Sequence, residues 1–291
     1  MDARFLALAV TIYLLSMLAR TAGWRTILKF RYSFRRVLAA LNEGYLLSNI
    51  LPWRLGEVGR AVLLGRGSGG SILTVLSSIL VERLFDLSIA VGLLLSLLPL
   101  AAGIQNAPRT GLIIAFILVV IITVLWILVR KPQWIESIIK RLPGGGERWM
   151  SAWASVRQGL EVLRDPRLFL TSLAWMMLTW TLAGVEYWLV MKAIIPDAEL
   201  SWAFFMLTVT LLGGAIPSSP GYIGVFEAAG VLALSAFGVP KAEALAVSLV
   251  IHGMVFSLGT LFGLIAFLNE GVTISDLYQD IRGWISAGVD Q

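Results

Sequence analysis

Residues 49–60 place charged side chains inside a largely apolar part of the chain. Asn49 is followed at short intervals by Arg54, Glu57 and Arg60. If the second half of this stretch is helical, Glu57 pairs with Arg60 at i,i+3 and Arg54 stays free to meet an anion. A guanidinium donates two hydrogen bonds in one plane, which suits phosphate. The pattern predicts a site for a lipid phosphate. The alternative is a set of arginines at headgroup level that only orient the segment.

A second group of ionisable side chains has the pattern Glu82-Arg83-x-x-Asp86. On a helix, Glu82 and Asp86 share one face at i,i+4, and Arg83 neighbours Asp86 at i,i+3. If this run crosses a membrane, each charged group costs about 2.5–3.5 kcal/mol on insertion scales, so the three must face a cavity or one another. A functional role is favoured over a structural brace, because apolar packing can replace a purely structural network.

The third group surrounds a second interruption of the apolar sequence. Its members are Pro217, Ser219, Pro220, Gly221, Gly224 and Glu227. Broken helices expose backbone N–H groups and helix N-termini, which favour anions. Acyl transfer through Ser219 is disfavoured, because a serine nucleophile needs a base and no His-Asp pair lies nearby in sequence. His252, the only histidine, follows Glu227 by 25 residues and is a further candidate.

The composition indicates a membrane protein built from helices. Of the 291 residues, 58% are hydrophobic and only 14% are charged, and the mean hydropathy is +0.84. In a typical soluble domain, about a quarter of the residues are charged. Long runs such as residues 112–129 do not alternate in hydrophobicity, which excludes a porin-like barrel. The predicted fold class is therefore all-α, a polytopic helical membrane protein.

Several site chemistries are excluded by counting residues. The chain has no cysteine, which removes disulfides and thiolate chemistry, and a single histidine, which rules out a multi-histidine metal site. The net charge of +5 comes from basic residues at the ends of apolar runs, as in juxtamembrane segments. We therefore expect no nucleic acid partner, no metal and no cofactor.

The first half of the chain is predicted to contain one broken hairpin between two long helices. Residues 5–19 form a first apolar helix, and a basic segment that follows it is expected to be cytoplasmic. Residues 37–66 form a helix-break-helix hairpin that re-enters the same side, interrupted at Pro52 and Gly56. Residues 71–100 and 110–129 form the next two helices. The basic residues behind the cytoplasmic assignment are Arg20, Arg25, Lys29, Arg31, Arg35 and Arg36.

The second half is predicted to mirror the first. Residues 130–167 form a cytoplasmic interfacial segment with a turn at Pro143-Gly144-Gly145-Gly146. It joins the halves 1–129 and 168–268 of a single transmembrane domain, 1–268. Residues 168–193 cross the membrane, the pieces 201–216 and 222–238 form a second broken hairpin, and 241–268 form a last helix. Residues 269–291 are expected to be a polar cytoplasmic tail.

A weak internal repeat supports this mirror. A shift of 170 residues places Glu57 on Glu227 and Glu82 on His252, although the prolines of the two breaks fit the shift only with a gap of 5 residues. Each half then has a broken hairpin with a glutamate ahead of a long helix with an ionisable residue near its middle. Inverted repeats with broken helices at the midplane are typical of transporters.

These motifs together resemble a known family. The residues that carry the resemblance are Asn49, Pro52, Arg54, Gly56, Glu57, Arg60, Glu82, Arg83, Asp86, Pro217, Ser219, Pro220, Gly221, Gly224 and Glu227. They are similar to the transmembrane region of lysylphosphatidylglycerol synthase and to the flippase-like UPF0104 membrane proteins, over nearly the whole chain. The resemblance implies a multi-pass protein of the cell (inner) membrane, in a family linked to moving modified phospholipid between leaflets.

The same resemblance sets expectations about activity. No cytosolic aminoacyltransferase domain follows residue 268, so we expect no lysyl transfer and no enzymatic activity of that kind. Relatives commonly have one more hydrophobic helix before the one that starts this chain, so we expect the N-terminus to be short by comparison.

The function predicted from the sequence is translocation of an anionic phospholipid or a polyprenyl-phosphate-linked sugar. Arg54, Arg60 and Arg83 are expected to meet the phosphate, with the acyl chains left in the bilayer. The groups expected to set the polarity of the site are Glu57, Glu82, Asp86, Glu227 and His252. The alternatives are a membrane-embedded transferase acting on a lipid phosphate and a scaffold partner of an envelope lipid-modifying enzyme. A homo-oligomer is a further open possibility.

Overall fold

The computed structural model describes residues 2–51, 55–66, 71–102, 136–137, 146–214 and 219–270. Within them all regular structure is helical, which confirms the all-α prediction. The helices are α1 (Ala3–Ile27), α2 (Phe34–Ile50), α3 (Leu55–Arg66), α4 (Ile72–Ala102), α5 (Gly146–Leu160), α6 (Pro166–Ile194), α7 (Leu200–Gly214), α8 (Val225–Ser235) and α9 (Lys241–Glu270), with short 3-10 turns at Glu161–Leu163 and Pro220–Tyr222.

Three of the described helices, α1, α6 and α9, are long and apolar enough to cross a membrane. The predicted end of the first helix at residue 19 is wrong, since α1 continues for two more turns to Ile27. Arg20 and Arg25 therefore lie on the helix and not in a loop. The helix continues past Arg20 because partners on α4 neutralise its charge, a fact that hydropathy alone does not show.

The first predicted hairpin is confirmed, but the break predicted at Gly56 is wrong, since Gly56 lies within α3. Helix α2 ends at Ile50, α3 begins at Leu55, and the two pack against each other in antiparallel fashion. Glycines on both helices allow the close approach: a Cβ on Gly56 would overlap Ser48 and the backbone of Gly44, and Gly44 in turn contacts the aliphatic stem of Arg60. The hairpin is therefore held by backbone-to-backbone packing, as small residues permit between membrane helices.

The second predicted hairpin is also confirmed, with α7 and α8 packed on each other. Its turn contains three residues in the left-handed region: Gly221 at φ 64°, Tyr222 at φ 59° and Gly224 at φ 87°. Glycine reaches this region without steric cost, whereas an aromatic residue does not. Gly221 and Gly224 thus allow the backbone to adopt the positive φ angles of this turn.

The order of helices shows an inverted repeat. A long helix, two short helices and a long helix occur twice, as α1–α4 and as α6–α9. Helices α1 and α6 run antiparallel: Asp2 N–H donates to Ala193 O at 3.1 Å and Ser16 Oγ donates to Thr179 O at 3.3 Å. The short helix of each half also packs on the last long helix of the other half, α2 on α9 and α7 on α4. The two halves therefore make equivalent helix contacts with each other.

Some predicted elements lie outside the described residues. These are the span 110–129, the turn at 143–145, most of the interfacial segment before residue 146, and the tail from 271 onward. Pro52, Arg54 and Pro217 also lie outside them. Within the described part, α5 packs on α4, where Thr74 Oγ1 donates to Ser155 O at 3.2 Å. The cytoplasmic side of this segment stays a prediction.

Candidate functional site: a charged cavity between the two hairpins

A cavity of about 320 Å³ lies where the two broken hairpins meet. The end of α2 contacts the turn at residues 220–222, and Asn49 Nδ2 donates to Phe256 O at 3.2 Å and to Thr260 Oγ1 at 2.9 Å on α9. The first break is thereby tied to the long helix of the other half. The walls come from α1, α2, α3, α4, α6, α7, α8 and α9.

Arg20 of α1 binds both acids of α4. Its Nε donates to Glu82 Oε1 at 2.8 Å and its Nη2 donates to Asp86 Oδ2 at 2.5 Å. The two carboxylates are fully buried, and Trp180 Nε1 donates to Asp86 Oδ1 at 3.0 Å. The shared face predicted for Glu82 and Asp86 is confirmed, because one guanidinium spans both.

Arg60 of α3 reaches the other side of Glu82. Its Nη2 donates to Glu82 Oε2 at 2.9 Å, and its guanidinium lies over the ring of Trp24 with 4.5 Å between Cζ and the ring centroid. Only 3% of the side chain is exposed. Stacking of this kind is favourable for a desolvated arginine. Arg60 thus links the hairpin to both α1 and α4.

Arg83 joins the hairpin acid to the α4 acids. Its Nη1 donates to Asp86 Oδ2 at 2.9 Å, which confirms the predicted i,i+3 pair, and its Nε lies 3.1 Å from Glu57 Oε1. The predicted pairing of Glu57 with Arg60 is wrong. Arg60 binds Glu82 of α4 instead, and Glu57 pairs with Arg83, the residue that follows Glu82.

The three arginines and three acids described above have no net charge together, but two of the arginine N–H groups have no hydrogen-bond acceptor. Three guanidiniums (Arg20, Arg60, Arg83) face three carboxylates (Glu57, Glu82, Asp86), and the arginines and Glu57 line the cavity. The Nε–H groups of Arg60 and Arg83 are buried without a hydrogen bond; for Arg83 the angle to Glu57 is unfavourable. Buried donors without acceptors are costly, so these two Nε–H groups are under-satisfied in the structure.

The second half contributes a histidine–glutamate pair. His252 Nδ1 lies 2.5 Å from Glu227 Oε1, and His252 Nε2 lies 2.7 Å from Gly221 O. Glu227 also accepts from Gly224 N–H at 2.7 Å, so it caps α8. The pair therefore connects the turn of the second hairpin to α9. In the repeat, Glu227 corresponds to Glu57 and His252 corresponds to Glu82.

The structure sorts the predicted site residues into three groups. Those that line the cavity are Asn49, Glu57, Arg60, Arg83 and His252. Glu82, Asp86 and Glu227 lie behind them as their partners. Ser219 is exposed and donates to Ile223 O at 2.8 Å, so it closes the local turn.

Sequence reasoning gives no site role to Arg20, or to Glu186, which it interprets only as a structural partner, yet both line the cavity. Arg20 was assigned to a loop because it ends an apolar run. A signal was available: Glu82 and Asp86 carry two negative charges against one arginine in their own motif, so a further cation had to come from elsewhere. Glu186 has no neighbouring motif in sequence, and nothing local marks it.

Comparison with known proteins agrees with this architecture. The family model described as lysylphosphatidylglycerol synthase TM region matches residues 1–263. A UPF0104 membrane protein of Methanothermobacter thermautotrophicus is 27% identical over 300 residues, which cover 98% of this chain and 88% of that protein. No solved structure matches the chain.

Proposed function

The chain belongs to the lysylphosphatidylglycerol synthase transmembrane-region family, and we propose that it moves an anionic phospholipid or a lipid-linked sugar phosphate between the leaflets of a membrane. The observation that carries this proposal is that three arginines, Arg20, Arg60 and Arg83, line the cavity between the hairpins. Planar guanidinium groups match the oxygens of a phosphate.

The size of the cavity supports a headgroup as the occupant. Ligand pockets commonly measure about 300–1,000 Å³, and this cavity of about 320 Å³ lies at the small end. It can accept a phosphate with a small substituent, whereas two acyl chains need far more room. In this proposal the chains stay in the bilayer while the phosphate passes along the arginines.

The inverted repeat supports a transport cycle. One short helix of each hairpin packs on the last long helix of the other half: α2 packs on α9, and α7 packs on α4. Rocking one half against the other would expose the same arginines alternately to the two leaflets, as inverted repeats do in transporters. The described ion pairs of these arginines all lie within the first half, on α1, α3 and α4, so the arginines would move together in such a cycle.

The transferase alternative is less well supported by the geometry. A general base needs a free lone pair within reach of the substrate. Both ring nitrogens of His252 are engaged, by Glu227 and by Gly221 O, and Glu82 and Asp86 are buried against arginines. Catalysis by any of these three groups would first require breaking a strong contact.

The proposal predicts that Arg60→Lys slows movement of anionic lipid about tenfold. Lysine keeps the positive charge next to Glu82 but cannot also offer the Nε–H in the plane of a fork, and one charge-assisted hydrogen bond contributes about 1.5–3 kcal/mol. The measurement uses purified protein in liposomes with a fluorescent anionic phospholipid, and follows its accessibility to a quencher added outside.

The matched control is Arg4→Lys, since Arg4 is exposed near the start of α1, away from the cavity. It should move lipid at the wild-type rate. Thermal unfolding of all three proteins shows whether they are folded. Equal rates for wild type and folded Arg60→Lys would contradict the role of Arg60, and a wild-type protein that moves none of the phosphate lipids tried would contradict transport itself.

A further inference from the structure

Glu186 of α6 is a buried acid that the charge network does not use. Its side chain lines the cavity, it is 3% exposed, and it forms no hydrogen bond or ion pair with any of the described residues. By contrast, the other acids that line or flank the cavity each have at least one arginine or histidine partner. Glu186 is therefore the one such acid, among the residues that the structure describes, whose charge has no compensation.

The groups that face Glu186 do not supply a charge. Tyr13 lies on α1, and its hydroxyl is also buried without a hydrogen-bond partner. The hydroxyl oxygen of Tyr187, on α6, lies 3.4 Å from Thr210 Oγ1 on α7. The charged groups of the cavity walls are already engaged: Arg20 with the α4 acids, and His252 of α9 with Glu227. The described side chains that interact with Glu186, Tyr13 and Tyr187, thus present neutral hydroxyls.

A carboxylate in such surroundings is unstable in its ionised form. Burying an isolated charge without a partner costs so much that the group takes up a proton instead. We propose that Glu186 is a proton-binding site that is loaded together with the lipid phosphate, so that a proton and the anionic headgroup cross in the same direction. This inference rests on the proposed function of the cavity.

The coupling follows from the charge of the cavity. Among the described residues, Arg20, Arg60 and Arg83 and their three acids sum to zero, so a bound phosphodiester adds one negative charge to them. An ionised Glu186 would add a second negative charge in the same low-dielectric space, so phosphate binding favours the protonated carboxyl, and by linkage the proton favours phosphate binding. The loaded cavity then carries one proton for each phosphodiester, and its transfer moves no net charge.

This stoichiometry predicts a distinctive response to gradients. For one proton per lipid, a pH difference of one unit across the liposome membrane should shift the equilibrium leaflet ratio of a phosphodiester lipid about tenfold, because one unit corresponds to 1.36 kcal/mol. A potassium diffusion potential alone should leave the ratio unchanged. The measurement is leaflet accessibility of fluorescent phosphatidylglycerol, with a pH-sensitive dye inside the liposomes to follow the proton.

Glu186→Gln tests the residue, since glutamine keeps the shape of a protonated glutamate and cannot release a proton. We expect this variant to equilibrate the lipid between leaflets with a ratio near one whatever the pH gradient, and to move no protons. The control Glu243→Gln removes an exposed acid at the start of α9 and should behave as wild type. Wild-type transport that ignores the pH gradient, or follows the potential instead, overturns the coupling and leaves the proposed function standing.

A second measurement does not depend on transport. Adding phosphatidylglycerol to protein in weakly buffered detergent, over a series of pH values, should cause proton uptake by wild type and by Glu243→Gln, but not by Glu186→Gln. The uptake is expected at pH values high enough for Glu186 of the empty cavity to be ionised. Uptake that persists in Glu186→Gln, or is absent from wild type at every pH, overturns the proton site. A wild type that takes up protons on lipid binding yet moves no lipid supports the site and contradicts the proposed function, so the two failures can be told apart.

Discussion

Replacing Arg20 with methionine is expected to lower the free energy of unfolding by about 3–5 kcal/mol, the usual cost of removing one partner from a buried ion network. Arg20 is 15% exposed and binds both Glu82 and Asp86, which are fully buried. Without it, the remaining two arginines face three carboxylates, and the surplus negative charge stays in a low-dielectric interior. Denaturant unfolding of the purified protein in detergent measures the loss.

A double variant separates charge from packing. Arg20→Met combined with Asp86→Asn restores the balance at two arginines and two carboxylates, and should recover a large part of the lost stability. The exposed Arg4→Met serves as the control and should unfold like wild type. If Arg20→Met alone unfolds within about 0.5 kcal/mol of wild type, as surface substitutions do, the network does not stabilise the fold.

Adding one methyl group at Gly263 is expected to leave the protein about 1–3 kcal/mol less stable than the same change at Gly253. Both glycines lie inside α9, where alanine is the better helix former by about 1 kcal/mol. A Cβ at Gly263 would overlap the backbone carbonyl of Asn42 and press on Leu46, while a Cβ at Gly253 would meet no atom within 4 Å. Overpacking a backbone contact has a cost of this size.

The comparison tests the contact between the two halves of the repeat, because α2 belongs to the first half and α9 to the second. Gly263→Ala should also slow lipid movement, since it pushes the first hairpin away from the helix that Asn49 anchors. Unfolding midpoints and leaflet-accessibility rates are measured for both variants. Equal stability of Gly263→Ala and Gly253→Ala would show that α2 and α9 are not packed as closely as the structure has them.

The two halves of the repeat share their architecture but not their chemistry. In the first half, the hairpin acid Glu57 meets Arg83 on α4; in the second, Glu227 meets His252 on α9. The arginine-rich half offers donors to an anion, and the histidine half ties down a turn. This asymmetry places the proposed phosphate contacts on one half and leaves the other to fasten the moving hairpin.

Much of the fold could be read from the sequence because its signals are local. Hydropathy marks the long helices, and proline and glycine mark both breaks, which fall between α2 and α3 and between α7 and α8. The pair of Arg83 with Asp86 was predictable for the same reason, since three residues on one helix always lie on neighbouring turns. Spacing alone also indicated the repeat, because Glu57 and Glu82 are as far apart in sequence as Glu227 and His252.

What the sequence by itself determined, then, is the helical membrane class, the two hairpins and most of the charged residues near the site. The tertiary structure alone decided which charges meet: Arg20 finds acids 62 and 66 residues away, Glu57 turns from Arg60 to Arg83, and Glu186 is left without a partner. The physical reason is one of range. Helix periodicity fixes neighbours within a turn or two, whereas ion pairs between helices depend on packing and on the competition of several charges for the same space, which no local pattern encodes.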